Sequence, residues 1–340
     1  MSSVTIKPTM QDDVLRVENL NVEFETPDHG WTRIVDDVSF AVRKGETVGL
    51  VGESGSGKTV TSLAIMHLLG RNARLSGSVM VHGRDLVGLP RDQLDAVRGS
   101  EVAMIFQEPR RSLNPAFTVG DQVAEAVRRH RQCSRKEAWD RAVELFERVG
   151  IPDARKRSHS YPHEFSGGMC QRVMLAMALS CDPDVLIADE PTTALDVTVQ
   201  RQVLGLIHEL QQELGVGVLL ITHDLSVVAE VCDRAAVMYA GRIVENAPIL
   251  ELFDNPQHPY TAGLLHAMPD PVRHARKMGV IPGHVPPPHE FIDSCRFAPR
   301  CPFAQEKCIS GLVPLRPVGD DHLVRCTRAE EISLEDAFYD

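Results

Sequence analysis

The sequence predicts an α/β nucleotide-binding fold with a mainly parallel sheet at its core, and three observations carry that prediction. Residues 52–59 read Gly-Glu-Ser-Gly-Ser-Gly-Lys-Thr and fit G-x-x-x-x-G-K-[ST], the loop whose backbone N–H groups wrap nucleotide phosphates. This loop stands between an apolar run, Val48 to Val51, and a helix-like stretch from Val60 to Leu69, which is the strand–loop–helix context the motif needs. A second apolar run, Val185 to Ala188, ends in the acidic pair Asp189-Glu190, and open α/β sheets bind ligands beyond such strand ends.

The remaining elements follow in chain order. Leu15 to Val17, Val22 to Phe24 and Val38 to Val42 are alternating apolar stretches broken by turn signals at Pro27-Asp28-His29-Gly30 and Lys44-Gly45, so antiparallel strands are expected there. Gly77 to Gly83 reads as one more strand closed by a turn. From Gly120 to Gly150 helical spacing takes over, with Ala138, Ala142, Leu145, Phe146 and Val149 on one face. Strand patterns return at Val185 to Ala188, Gly217 to Ile221 and Ala235 to Tyr239, with helical stretches between them. Pro282 to Pro288 reads as a stiff linker.

Composition excludes several classes. A chain of 340 residues can bury a large core and suggests two or three domains. Its 43% hydrophobic and 24% charged residues are ordinary for a soluble globular protein, and a net charge of −11 argues against a protein that coats nucleic acid. Met1 to Met10 has one lysine and no apolar core, unlike a signal peptide, and apolar runs such as Val216 to Ile221 fall far short of the ~20 residues of a membrane helix. A cytosolic chain is expected, with any membrane role carried out through partners. Cys133, Cys170, Cys181 and Cys232 are scattered and read as ordinary thiols, whereas Cys295, Cys301, Cys308 and Cys326 crowd together and mark a separate module.

The chemistry is readable residue by residue. Gly52, Gly55 and Gly57 permit a tight turn and close backbone approach, with Ser54 in the same loop. Lys58 can reach the β- and γ-phosphates, and the Thr59 hydroxyl can bind Mg²⁺. A helix starting near Lys58 would aim its positive end at the same anion. Asp189 is positioned to hold Mg²⁺ through water, and Glu190 to act as general base for an attacking water. Acidic residues after a strand also open loops and cap helices, a reading that the preceding phosphate loop disfavours.

With these residues in place, the chain resembles the nucleotide-binding subunit of an ATP-binding-cassette (ABC) transporter over residues 14–250. Ser166-Gly167-Gly168, followed by the apolar helix Val173 to Leu179, resembles the family's signature sequence. Gln107, after the strand Val102 to Phe106, looks like the Q-loop residue; Ala194-Leu195-Asp196 looks like the D-loop; His223, after Ile221-Thr222, looks like the switch histidine. The resemblance implies a cassette made of a parallel-sheet core, an antiparallel β subdomain and a helical subdomain at about residues 108–178. Its implied domains are a tail at 1–13, the nucleotide-binding domain at 14–254 and an extension at 255–340.

The same resemblance implies roles. Two cassettes would sandwich two ATP molecules head to tail, with Ser166, Gly167 and Gly168 of one chain on the γ-phosphate held by Lys58 and Thr59 of the other. Gln107 would touch Mg²⁺ and the lytic water, and His223 would hold phosphate and water in line. Asp196 belongs to the same set, and Phe24, with Trp31 as runner-up, would stack on adenine unless it is a plain core residue. Phe165, Met169 and Cys170 depart from the usual Leu, Gln and Arg of the general signature, though none of these changes removes a phosphate-contacting atom.

The tail narrows the branch. Asn255 to Thr261, containing His258-Pro259-Tyr260, resembles an element of the oligopeptide, dipeptide and nickel import subfamily. Four thiolates in a reducing compartment suit zinc or an iron–sulfur cluster, and spacing alone does not choose between them. Similar tails in this branch resemble [4Fe–4S] ligand sets, so the resemblance implies Cys295, Cys301, Cys308 and Cys326 as cluster ligands, with zinc as the alternative. The implied partners are a second cassette, identical or different, two membrane permeases and an extracytoplasmic binding protein, with no nucleic acid; the chain would sit on the cytoplasmic face of the membrane. The arginine clusters at 110–111, 128–131 and 155–157 read as solvated faces or as contacts to permease or lipid headgroups. DNA-repair members of the family carry long coiled-coil insertions, whereas only residues 108–165, 58 in all, separate Gln107 from Ser166. The cargo is not legible in this chain.

Overall fold

The computed structural model describes residues 13–193, 195–268 and 280–334. Ala194 and all but the last residue of the expected 1–13 tail lie outside the described residues. The chain opens with a hairpin, β1 (Asp13–Thr26) and β2 (Gly30–Arg43), turned at Pro27 to His29 as the sequence predicts. Each runs longer than its apolar stretches suggested, because β-bulges along β1 break the alternation without ending the strand. After β3 (Thr47–Val51) come the loop and α1 (Lys58–Ile65), then β4 (Ala73–Val81), β5 (Arg84–Asp85), α2 (Arg91–Val97) and β6 (Val102–Ile105).

A helical region follows: α3 (Pro109–Ser112), α4 (Val119–His130), α5 (Arg135–Arg148), α6 (Ala154–Arg157) and α7 (Gly167–Ala178). Side-chain caps set its helix starts. Thr118 accepts from Asp121 N–H at the head of α4, and Ser134 and Glu137 form a reciprocal capping box on α5. The predicted face of α5 is buried, including Ala138, Ala142, Leu145 and Phe146. The chain then alternates as β7 (Val185–Asp189), α8 (Val197–Leu214), β8 (Gly217–Thr222), α9 (Leu225–Val231), β9 (Arg234–Tyr239), β10 (Arg242–Pro248), α10 (Ile249–Asp254) and α11 (Pro259–His266). The tail adds α12 (Glu306–Ile309), β11 (Arg316–Gly319) and β12 (His322–Val324).

Two sheets result. β2-β1-β4-β5 form the antiparallel one, and β11-β12-β10-β9-β3-β8-β7-β6 the larger, whose strands β9, β3, β8, β7 and β6 are parallel. One apolar core joins the antiparallel sheet and α1 to one face of the large sheet, a second joins its opposite face to the helical region, and a small third gathers Val324, Cys326 and Ala329 in the tail. The tail is not the detached module its composition suggested. β12 pairs antiparallel with β10 (Glu245 opposite Val324), and Tyr260 and Phe297 are buried in the second core.

A buried charge cluster fastens the tail to β2 and β10. Asp36, on β2, accepts from Arg242 Nε (2.8 Å) and Arg296 Nη2 (2.5 Å), and all three side chains are nearly inaccessible to water. Burial pushes the Asp36 carboxyl up, but the charges of Arg242, Arg296 and Arg33 outweigh it and hold it below the usual carboxylate value. The stabilisation is therefore fully present above the unfolded pKa, near ~4, and is lost as pH falls through the depressed folded value. Asp36→Asn leaves two buried guanidinium ions short of a counter-charge and should cost about 3–5 kcal/mol at neutral pH, with a gap to the parent chain that narrows in acid. Urea unfolding at pH 7 and pH 3.5 checks this; a loss under ~1 kcal/mol at pH 7, or no narrowing, contradicts it.

Candidate nucleotide site

The site grows from three neighbouring strand ends. Val51 of β3 lies opposite Thr222 of β8, and Asp189 of β7 lies opposite Ile221, so residues 52, 190 and 223 leave the sheet side by side. Residues 52–57 form the loop and α1 begins at Lys58, as the motif requires. Glycine is obligatory at Gly52, where a Cβ would stand 2.1 Å from the Met238 carbonyl oxygen, and at Gly57, whose φ is +105°. The loop rests on the β9–β10 turn, where Gly241 N–H donates to the Ser56 carbonyl at 2.8 Å.

Lys58 is buried, and its ammonium donates to the carbonyls of Gly52 (2.7 Å) and Glu53 (3.0 Å). Burial lowers its pKa, opposed by the charges of Glu190, Asp189 and Glu53. Thr59 Oγ1 donates to Asp189 Oδ1 and Ser62 Oγ to Asp189 Oδ2, both at 3.4 Å. Burial raises the Asp189 pKa, against the Thr59 bond and together with the Glu190 charge. A divalent cation seated between Thr59 and Asp189 would meet oxygen donors only, the chemistry that suits Mg²⁺.

Glu190 is a hub. Its carboxylate accepts from Gln107 Nε2 (2.9 Å) and Thr193 Oγ1 (2.8 Å), and its Oε1 lies 3.1 Å from His223 Nδ1. Burial pushes its pKa up, but the bonds from Thr193 and His223 and the Lys58 charge prevail, leaving an ionised carboxylate. Its backbone sits at φ +45°, pinned by Glu190 N–H donating to the Ile221 carbonyl at 2.9 Å. Sequence reasoning missed Thr193 and Ser62. Ser62 was findable, since it lies three residues after Thr59 on the same helix face.

The signature residues stand apart from this centre. Ser166 caps α7 by accepting from Met169 N–H, and Gly168 packs so closely on α8 that a Cβ would meet Val199 at 2.6 Å. Among the described residues no hydrogen bond links Ser166, Gly167 or Gly168 to the phosphate loop. Asp196 caps α8 through Val199 N–H. Phe165 and Cys170 are buried in the helical core. Phe24 is half-buried against the antiparallel sheet, whereas Trp31 is 40% exposed with the Arg74 guanidinium 4.0 Å from its ring centroid.

The four tail cysteines come together. Cys295, Cys301, Cys308 and Cys326 line one cavity of about 20 Å³ beside His258 and Phe297, and none is in a disulfide. Burial raises the pKa of Cys301 to about 12 and of Cys326 to about 11, so these thiols are neutral without a cation nearby. Among the described residues no three His, Cys, Asp or Glu side chains close around one point as a single metal ion would require.

The chain is similar to known proteins over most of its length. The family described as ABC transporter matches residues 35–193, and the one described as oligopeptide/dipeptide transporter, C-terminal region, matches residues 244–308. A Brucella abortus (strain 2308) protein, provisionally named a peptide import ATP-binding protein, is 50% identical over 333 residues, which cover 94% of this chain and 98% of that one. One from Brucella melitensis biotype 1 with the same provisional name is 52% identical over 312 residues, covering 88% and 92%. Among solved structures, a dimeric ATP-binding cassette in a post-hydrolysis state with ADP and Pi aligns at TM-score 0.62 and 25% identity, covering 69% of this chain and 98% of that one. CbiO1 from Clostridium perfringens, part of an ABC transporter complex, aligns at TM-score 0.61 and 26% identity, covering 72% and 92%.

Proposed function

Since the chain belongs to the ATP-binding subunits of ABC transporters, we propose that it hydrolyses ATP to drive peptide import, with Glu190 as the base. The carrying observation is the Glu190 carboxylate, held by Gln107, Thr193 and His223 beside the Thr59–Asp189 pair. Peptide as cargo is supported by the names of the Brucella relatives and by the C-terminal region match at 244–308.

In this reading the loop N–H groups from Gly52 to Thr59, with Ser54 and Gly55 among them, cradle the phosphates. Lys58 leaves its two carbonyls for the β- and γ-phosphates. Mg²⁺, when bound, neutralises charge on those phosphates. Thr59 and Asp189 are the residues that would hold the cation, Asp189 by way of water. Gln107 and His223 orient the water whose proton Glu190 takes, and Phe24, with Trp31 second, stacks on adenine. The separation of Ser166, Gly167 and Gly168 from their own loop supports a head-to-tail pair in which they meet the partner's γ-phosphate, with Asp196 at the junction. Preorganised donors of this kind act strongly where water is excluded.

Permease partners and a peripheral place on the cytoplasmic face belong to the same proposal. Among the described residues no helix is long and apolar enough to cross a membrane. A groove of about 890 Å³ along α4 and α5, with exposed Phe117 beside Trp139, Arg128 and Lys136, suits a permease segment. Other arginines of the predicted clusters are already engaged: Arg131 with Asp182, Arg111 with Glu108, and Arg110 with the Phe165 carbonyl. Delivery of cargo by an extracytoplasmic binding protein completes the scheme.

A [4Fe–4S] cluster on Cys295, Cys301, Cys308 and Cys326 is the second part of the proposal. Four unpaired thiols around one cavity support it by donor chemistry. Among the described residues no three His, Cys, Asp or Glu side chains stand together as a metal ion would require, so donor type alone supports the cluster, with zinc as the alternative.

Two measurements test these readings. Glu190→Gln should cut ATP turnover by ~10²–10⁴, the usual worth of a general base, while ATP binding survives; turnover within threefold of the parent refutes the assignment. Anaerobically purified chain should contain about four iron and four acid-labile sulfide per chain, with broad absorption near ~400 nm. One zinc and no sulfide would make the tail a structural zinc site instead.

A further inference from the structure

The phosphate loop is gripped by the C-terminal extension at its second residue, Glu53. The Glu53 N–H donates to Tyr260 Oη at 2.9 Å, across 207 positions of sequence. Its carboxylate takes two bonds from Arg300, Nη1 to Oε2 at 2.8 Å and Nη2 to Oε1 at 3.1 Å, across 247 positions. Its carbonyl is one of the two that hold Lys58. All three polar groups of this one loop residue are therefore engaged, two of them by the C-terminal extension.

Both grips are stiff. The Arg300 side chain is 7% exposed, and its Nε donates to the Pro282 carbonyl at 2.7 Å. The Tyr260 ring is fully buried, 4.7 Å from Tyr239 and 5.3 Å from Phe297 between centroids. A bidentate arginine on a planar carboxylate fixes orientation as well as position.

We propose that Arg300 and Tyr260 are positioning residues for nucleotide binding, holding Glu53 so that the loop is already shaped for phosphate when Lys58 swings away from it. This rests on the reading of residues 52–59 as the ATP site. A nucleotide takes Lys58 away from the Gly52 and Glu53 carbonyls, and Glu53 is then held by the Ser56 N–H on its carbonyl and by the Tyr260 and Arg300 bonds. Without the grip, the loop must be ordered at the moment of binding, and that cost appears as lost affinity. Arg300 also neutralises a carboxylate carried by the same loop, which would otherwise add negative charge near an incoming polyanion. Chemistry at Glu190 is left untouched, so affinity should suffer and turnover at saturation should not.

The test uses the full chain, with equilibrium binding of a fluorescent ATP analogue in Mg²⁺, ATPase rates, and thermal unfolding as a check on folding. Arg300→Met should raise Kd and KM about tenfold with kcat within threefold, and Tyr260→Phe should raise them about threefold. Arg300→Met combined with Glu53→Gln should bind no more weakly than Arg300→Met alone, because one grip cannot be lost twice. The proposal is overturned by a Kd within twofold of the parent in folded Arg300→Met, or by effects that multiply in the double variant. Should Arg300→Met not fold, Tyr260→Phe decides, and parental affinity there overturns it as well. Undiminished binding in Lys58→Ala would instead remove the nucleotide-site reading itself.

Discussion

The structure depends on the register of three adjacent parallel strands. β3, β8 and β7 run in the same direction and end together, with Val51 opposite Thr222 and Ile221 opposite Asp189. Strands in a sheet lie about 4.8 Å apart, so whatever follows each strand end emerges within reach of its neighbours. The phosphate loop, Glu190 and His223 are those continuations. A one-residue slip of β7 would turn Asp189 to the other face of the sheet and carry Glu190 out of reach of Gln107 and His223. Residues 138 positions apart along the chain, Asp189 to Val51, are thereby joined through strand pairing before any side chain takes part.

Much of this was legible because the sheet is buried on both faces and its strands read as unbroken apolar runs. Val48 to Val51, Val185 to Ala188 and Gly217 to Ile221 each became a strand, and the residues after them became the site. β10 escaped notice for the opposite reason. Arg242, Glu245 and Asn246 lie along it, and a run so polar does not look buried. Each has partners that only folding supplies: Arg242 meets Asp36, Glu245 accepts from the backbone of Gln257 and His258 and contacts His322, and Asn246 contacts Arg234. Thr193 and Arg300 were hidden likewise, since a threonine in a loop and an arginine beside a cysteine carry no local signal. The head-to-tail roles proposed for Ser166 to Gly168 rest on resemblance alone, because a single chain holds nothing for them to meet across such a junction.

The tail illustrates how composition can mislead about architecture. Clustered cysteines and a proline-rich approach suggested a small unit on a stiff tether. The short segment from Cys295 to Cys301 instead carries Arg296 to Asp36, Arg300 to Glu53 and two thiols to the shared cavity. Three tasks on seven residues leave little freedom for the segment to move as a separate body. Cys295 is the chain neighbour of Arg296 and Cys301 of Arg300, so the thiols and the two ion pairs share one backbone segment.

β12 has a consequence for how many copies can live together. Without it, the seven-residue β10 would present a row of unpaired N–H and C=O groups, the template on which sheets of separate molecules grow into one another. β12 occupies part of that row, and the strand outside it, β11, is four residues long and contains Pro317, which has no N–H to offer. The opposite margin, β6, is also only four residues long. The large sheet thus ends in short, poorly extensible borders on both sides, and these guard against lateral aggregation where many copies crowd together.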